Sequence, residues 1–260
     1  MAEQVTRKAA SECQPELSPY ECARQRLIVA LDFSAADSAL SFADRLKDQC
    51  QWFKIGLELF IASGPAIVER LVERGHSVFL DLKLHDIPNT VASAVRSAGS
   101  LGASMLTIHA SGGPVMLAAA REAAAKLPSP PQLLAVTVLT SMDEPQLAAT
   151  GIPRSPVEQV RLLAQTGLDS GINGFVCSPQ EAAALRALAG PSATLVTPGI
   201  RPSGSEVGDQ KRIATPTSAL ADGASYLVVG RPITQAAQPE LAAEAILLEI
   251  AEALAIAPTE

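Results

Sequence analysis

The sequence predicts an α/β protein, a single-domain (β/α)8 barrel of the TIM type, on three observations. Short apolar runs recur eight times, helical segments rich in alanine and leucine separate most of them, and 260 residues at 48% hydrophobic composition suit one large core. The runs are Leu27 to Leu31, Trp52 to Ile55, Val78 to Leu82, Met105 to Ile108, Leu133 to Leu139, Gly174 to Cys177, Thr194 to Val196 and Tyr226 to Val229. They are continuously apolar, the mark of strands buried on both faces. Ala35 to Lys47, Pro65 to Glu73, Pro88 to Ser100, Pro156 to Asp169 and Pro179 to Leu188 have helical spacing, and several open on the proline that favours a helix start. Strands alternating with helices imply a parallel sheet, and eight repeats imply closure. A doubly wound open sheet is the competing architecture, but it usually announces itself by a glycine-rich first turn, and LIVALDFSAAD from residue 27 has no glycine. The barrel domain is expected over residues 26–256, with residues 1–25 as a loose arm.

The net charge of −7 leaves no global field to attract nucleic acid or an anionic membrane, so any phosphate site must be local. From Ser97 to Ala120 there is no charged residue, yet four glycines, four serines, a histidine and a proline make a buried helix, strand and glycine loop a better reading than a membrane span. The first 26 residues lack the apolar centre of a secretory signal. Cysteines 13, 22, 50 and 177 form no C-x-x-C pair and no metal-ligand spacing, so they read as reduced thiols of a cytoplasmic protein.

The third run ends Asp81-Leu82-Lys83 and continues as LHDIPNT. Residues two apart on a strand face one side, so Asp81 and Lys83 point together into the barrel mouth. Asp32 and Lys54 end the first and second runs, and with Asp86 the set Lys54, Asp81, Lys83, Asp86 alternates in sign. A single Asp-Lys pair reads equally well as a structural ion network, and Asp32 also reads as a helix N-terminal residue. Several such residues at C-terminal strand ends, where barrel active sites lie, favour function. A second cluster lies in the loops after strands seven and eight, which commonly bind phosphate: Arg201 in PGIRP, Gln210 in GDQ, and Gly230 and Arg231 in VGRP. His109, which ends the fourth run, reads as a structural or supporting residue, because His76, His85 and His109 have no metal-binding spacing with carboxylates. Trp52 and Phe53 read as core.

DLKLHDIPNT at 81–90 closely resembles the signature of the orotidine 5′-phosphate decarboxylases. ALD at 30–32, FKIG at 53–56, LTS at 139–141, TPGIRP at 197–202, GDQ at 208–210 and VVGRPIT at 228–234 match that family in the same order, and GIRP with the following GDQ resembles its bacterial type. The resemblance covers about residues 26–250 and implies a cofactor-free enzyme with no metal. It makes Lys83 the proton donor to C6 of the pyrimidine and sets Asp81 against the departing carboxyl group. Lys54 and Asp86 complete the charged array. Asp32 and Lys54 contact ribose hydroxyls, Thr140 or Ser141 the base, and Arg201, Gln210, Gly230 and Arg231 the phosphate. It also implies a homodimer with Asp86 and Thr90 shared across the interface, and leaves open whether the loop at 203–207 closes over substrate.

Two other functions fit parts of this pattern. One is a sugar-phosphate decarboxylase or aldolase of the same barrel superfamily that relies on Mg²⁺, for which Glu58 is the obvious extra carboxylate. The other is a non-catalytic phosphoribosyl-binding barrel, since fold does not fix function.

Overall fold

The structure, a computed structural model, describes residues 17–202 and 213–256. Its strands are β1 (Leu27–Ala30), β2 (Trp52–Ile55), β3 (Ser77–Leu84), β4 (Met105–His109), β5 (Gln132–Val136), β6 (Gly174–Val176), β7 (Thr194–Thr197) and β8 (Tyr226–Val229). The helices that alternate with them are α1 (Pro19–Arg26), α2 (Ala36–Arg45), α3 (Leu57–Ser63), α4 (Ala66–Glu73), α5 (Pro88–Ser100), α6 (Gly113–Ala125), α7 (Glu144–Ala149), α8 (Pro156–Asp169), α9 (Pro179–Ala189), α10 (Pro216–Ala221), α11 (Arg231–Thr234) and α12 (Pro239–Ile256). The strands pair in chain order, all parallel, and β8 returns to β1 with Leu27 opposite Leu227, so the sheet closes as a barrel. The expected (β/α)8 class is the fold observed.

Strand parity divides the core in two. Ile28, Trp52, Phe79, Met105, Leu134, Val196 and Tyr226 point inward and fill the barrel, with the Trp52 and Tyr226 rings edge-on at 5.3 Å. Their neighbours Val29, Phe53, Leu80, Leu106 and Leu195 point outward and pack under the helices. At the level of this filled layer both sides of the strands are therefore apolar, which explains the apolar runs in the sequence. Trp52 and Phe53 are both core, but in different compartments. Gly174 is the one inward position of β6 below Val176, and an added Cβ there would lie 2.5 Å from the Leu133 carbonyl oxygen. Only a residue without a side chain lets β5 and β6 approach this closely.

Two expectations are corrected. The last part of the supposed loose arm is ordered: Ser18 caps α1 in a reciprocal box with Glu21, Ala23 is fully buried, and the Tyr20 hydroxyl donates to Glu244 on α12. Burial, with that hydrogen bond, pushes the Tyr20 phenol up to about 12. Residues 1–16 lie outside the described residues. Cys22 is disulfide-bonded, whereas Cys50 and Cys177 are free and buried. Pairing follows from which Cβ atoms the fold brings within about 4 Å, and spacing along the chain does not carry that information. Burial pushes both free thiols up to about 12, which leaves them protonated and inert.

The charge-free stretch from Ser97 to Ala120 comprises the end of α5, all of β4 and the start of α6. Among the described residues no helix is long and apolar enough to cross a membrane.

Candidate active site

Continuing the inward parity past the filled layer leads to the C-terminal rim, where Asp32 follows β1, Lys54 lies on β2, and Asp81 and Lys83 lie on β3. These four side chains, with Thr140, Arg201, Gly230 and Arg231, line one cavity of about 450 Å³. That volume is within the ordinary range for small-molecule sites. Its remaining wall includes Val136, Val138, Val176, Val196 and Val228, an apolar surface opposite the charges.

The Lys83 ammonium lies 2.8 Å from each oxygen of Asp81, and the Lys54 ammonium lies 3.1 Å from Asp32 Oδ1. Asp81 is the more enclosed carboxylate, with its side chain 14% exposed against 58% for Asp32. Asp32 caps no helix, since α2 starts from Ala35. Its partner is Lys54, and an added Cβ on Gly56 would come within 3.0 Å of that ammonium.

The convergence of Asp81 and Lys83 has a cause beyond strand alternation. Against β4 the register jumps between Leu80 opposite Leu106 and Leu84 opposite Ile108, so four steps on β3 face two on β4. Lys83 has φ 51°, the single positive value outside glycine among the described residues. Such a bulge re-aims a side chain at the rim of a barrel. In place of a regular ladder bond, the Lys83 N–H donates to Thr107 Oγ1 at 2.8 Å, and that hydroxyl lies 3.0 Å from Asp81 Oδ1. Thr107 was not singled out from the sequence, because a threonine inside an apolar strand is unremarkable there.

Other expected residues lie elsewhere. Asp86 and Thr90 are exposed, and the Asp86 carboxylate accepts from the Ile87 N–H at 2.6 Å instead of lining the cavity. Ser141 is exposed and Thr140 alone of that pair lines the cavity. Arg201 is buried, donates to the Ile200 carbonyl at 2.9 Å, and follows the Ile200–Ala214 bridge that draws the two ends of its loop together. Gln210 and the loop at 203–207 lie outside the described residues. Thr234 and Gln235, beside Arg231, also line the cavity and were missed, because RPITQ resembles any short polar turn. His109 is half-buried with its ring 5.4 Å from that of His85. Burial above all, then His85 and Lys83, pushes its imidazole below the ordinary value. Glu58 is exposed at the start of α3, and among the described residues no three His, Cys, Asp or Glu side chains group as a metal site.

Comparison with known proteins identifies the family. Residues 25–246 match the Orotidine 5′-phosphate decarboxylase / HUMPS family. The chain is 52% identical over 214 residues to the orotidine 5′-phosphate decarboxylase of Pectobacterium atrosepticum, covering 82% of this chain and 87% of that one. It is 51% identical over 228 residues to the enzyme of the same name from Nitrosococcus oceani, covering 87% and 98%. The crystal structure of orotidine 5′-phosphate decarboxylase from Lactobacillus acidophilus superposes with a TM-score of 0.78 at 39% identity, covering 86% of this chain and 98% of that one. With barrel, rim charges and extended sequence identity in agreement, the chain belongs to the orotidine 5′-phosphate decarboxylase / HUMPS family.

Proposed function

We propose that this chain decarboxylates orotidine 5′-monophosphate to uridine 5′-monophosphate, the last step of de novo UMP synthesis, without a cofactor and in the cytoplasm. The observation that carries the reading is the Lys83–Asp81 pair, held at 2.8 Å on the wall of a nucleotide-sized cavity in a chain of this family.

When the bond between C6 and the carboxylate carbon breaks, the electron pair stays on C6 and neutral CO₂ leaves. The ring delocalises that pair poorly, so a nearby cation lowers the barrier. Opposite unit charges at ~4 Å, with an effective dielectric constant of ~20, attract by ~4 kcal/mol, a rate factor of roughly a thousand. Lys83 supplies both the charge and the proton that C6 receives, and regains a proton from solvent. Asp81 beside the substrate carboxylate adds repulsion that is relieved as CO₂ departs. Lys54 and Asp86 extend the alternating array, the latter with Thr90 from the second subunit of a homodimer. Asp32 and Lys54 hold ribose hydroxyls, while Thr140, the member of its pair on the cavity wall, holds the base. Arg201, Gln210, Gly230 and Arg231 hold the phosphate, whose binding energy is spent on the reacting end.

The test is the fall in ultraviolet absorbance as orotidine monophosphate is consumed. Turnover should persist in excess EDTA and disappear in Lys83→Ala while uridine monophosphate still binds. EDTA-sensitive activity would favour the Mg²⁺-dependent sugar-phosphate chemistry, and binding without turnover in the parent protein would favour the non-catalytic barrel.

A further inference from the structure

The geometry points to Thr107 as a positioning residue for the proposed reaction, one that locks Lys83 and Asp81 into a single arrangement from beneath the cavity. This inference rests on the reading of Lys83 and Asp81 given above.

Thr107 sits on β4 between Met105 of the inner layer and His109 at the rim, and it is fully buried. It is not part of the cavity wall, so it acts through its neighbours and not on a ligand. Its hydroxyl meets both members of the pair: Lys83 through the backbone N–H at 2.8 Å, and Asp81 through Oδ1 at 3.0 Å. A peptide N–H can only donate, so the hydroxyl oxygen accepts there and its one proton is committed to the carboxylate. Threonine is also stiff about χ1, which leaves the hydroxyl little freedom to turn away.

Thr107 also fills a gap in the sheet. Where four steps on β3 oppose two on β4, the regular ladder is lost, and a part-buried Lys83 N–H without an acceptor would be costly. The hydroxyl replaces the missing acceptor at the residue whose φ of 51° most needs support. Backbone, carboxylate and ammonium are thereby coupled through one oxygen. Loss of that oxygen should let the ammonium drift, and a misplacement near 1 Å in a reacting group costs roughly a hundredfold in rate.

The experiment compares Thr107→Val, which keeps the shape and removes both bonds, with Thr107→Ser, which keeps the hydroxyl. T107V should lower kcat by roughly 10- to 100-fold with KM for orotidine monophosphate changed by less than about threefold, and T107S should recover most of the loss. Parent-like kcat in T107V, a loss confined to KM, or equal losses in T107V and T107S would overturn the inference. Should T107V not fold, T107A against T107S is read by the same criteria. A crystal structure of the valine or alanine variant gives a second readout independent of turnover. The inference expects the two-oxygen contact between Lys83 and Asp81 to be broken there, and an unchanged contact overturns it. If the parent protein itself fails to decarboxylate orotidine monophosphate, the functional reading falls while this structural readout still decides the role of Thr107.

Discussion

Lys83 holds a left-handed backbone that a side-chain-bearing residue adopts only at a cost of about 1–3 kcal/mol, so its neighbours must keep it there. His109 stands at the same rim under a different constraint. Burial, reinforced by His85 and Lys83, resists its protonation, as burial does for His76 edge-on against Phe53 at 4.8 Å. The unfolded chain, whose imidazoles titrate near 6.5, therefore binds protons that the folded chain refuses. The folded state should lose stability as pH falls from above that value through the lower folded one. Thermal unfolding followed between about pH 7 and pH 5 should show a smaller decline for His109→Gln than for the parent protein. Parallel declines would mean that His109 is not among the groups responsible. Among individual residues, Asp32, Lys54, Asp81 and Lys83 were legible because a charge closing an apolar run needs a partner. Thr107 was hidden, because its importance depends on a register shift between β3 and β4 that neither strand announces by itself.

The elements themselves depend on close contacts between backbones. At Gly174 the neighbouring strand leaves no room for a methyl group, with 2.5 Å to the Leu133 carbonyl and 2.8 Å to a Leu134 methyl. Gly174→Ala should destabilise the barrel by roughly 1–3 kcal/mol and lower Tm by several degrees. A Tm equal to the parent's would show that β5 and β6 can separate without loss. All eight strands stood where apolar runs predicted them, and the Pro88–Ser100 and Pro156–Asp169 helices matched to the residue. The fifth run was read through Leu139, but β5 ends at Val136. Val138, buried, and Leu139, 37% exposed, line the cavity beyond the end of the strand, so an apolar run does not by itself report strand pairing. α1 escaped notice for the opposite reason: PYECARQR is polar, and only Cys22 and Ala23 are buried in it, with Tyr20 packed partly against the core.

At the scale of the whole molecule, Asp86 just before α5 and Thr90 in its first turn are exposed, with the apolar Ile87 between them at 67% exposure. If Asp86 completes a neighbour's site, neither Lys83→Ala nor Asp86→Ala alone is active, but a hybrid of the two contains one intact site. Random mixing should then restore roughly a quarter of the parent activity. Confirmed hybrids without recovery would place Asp86 in its own subunit's chemistry or outside it. The fold was legible as a whole because one period repeats eight times. The site was legible only along single strands, since sequence order does not disclose which side chains meet across the barrel. The tightly filled inner layer of Trp52, Phe79, Met105, Leu134 and Tyr226 has a further consequence. It is a poorly polarisable floor directly under the ammonium groups, so little solvent can screen them from below. Field lines that cannot spread downward emerge through the open end, and the barrel's greasy interior thereby directs its charges toward an arriving anion.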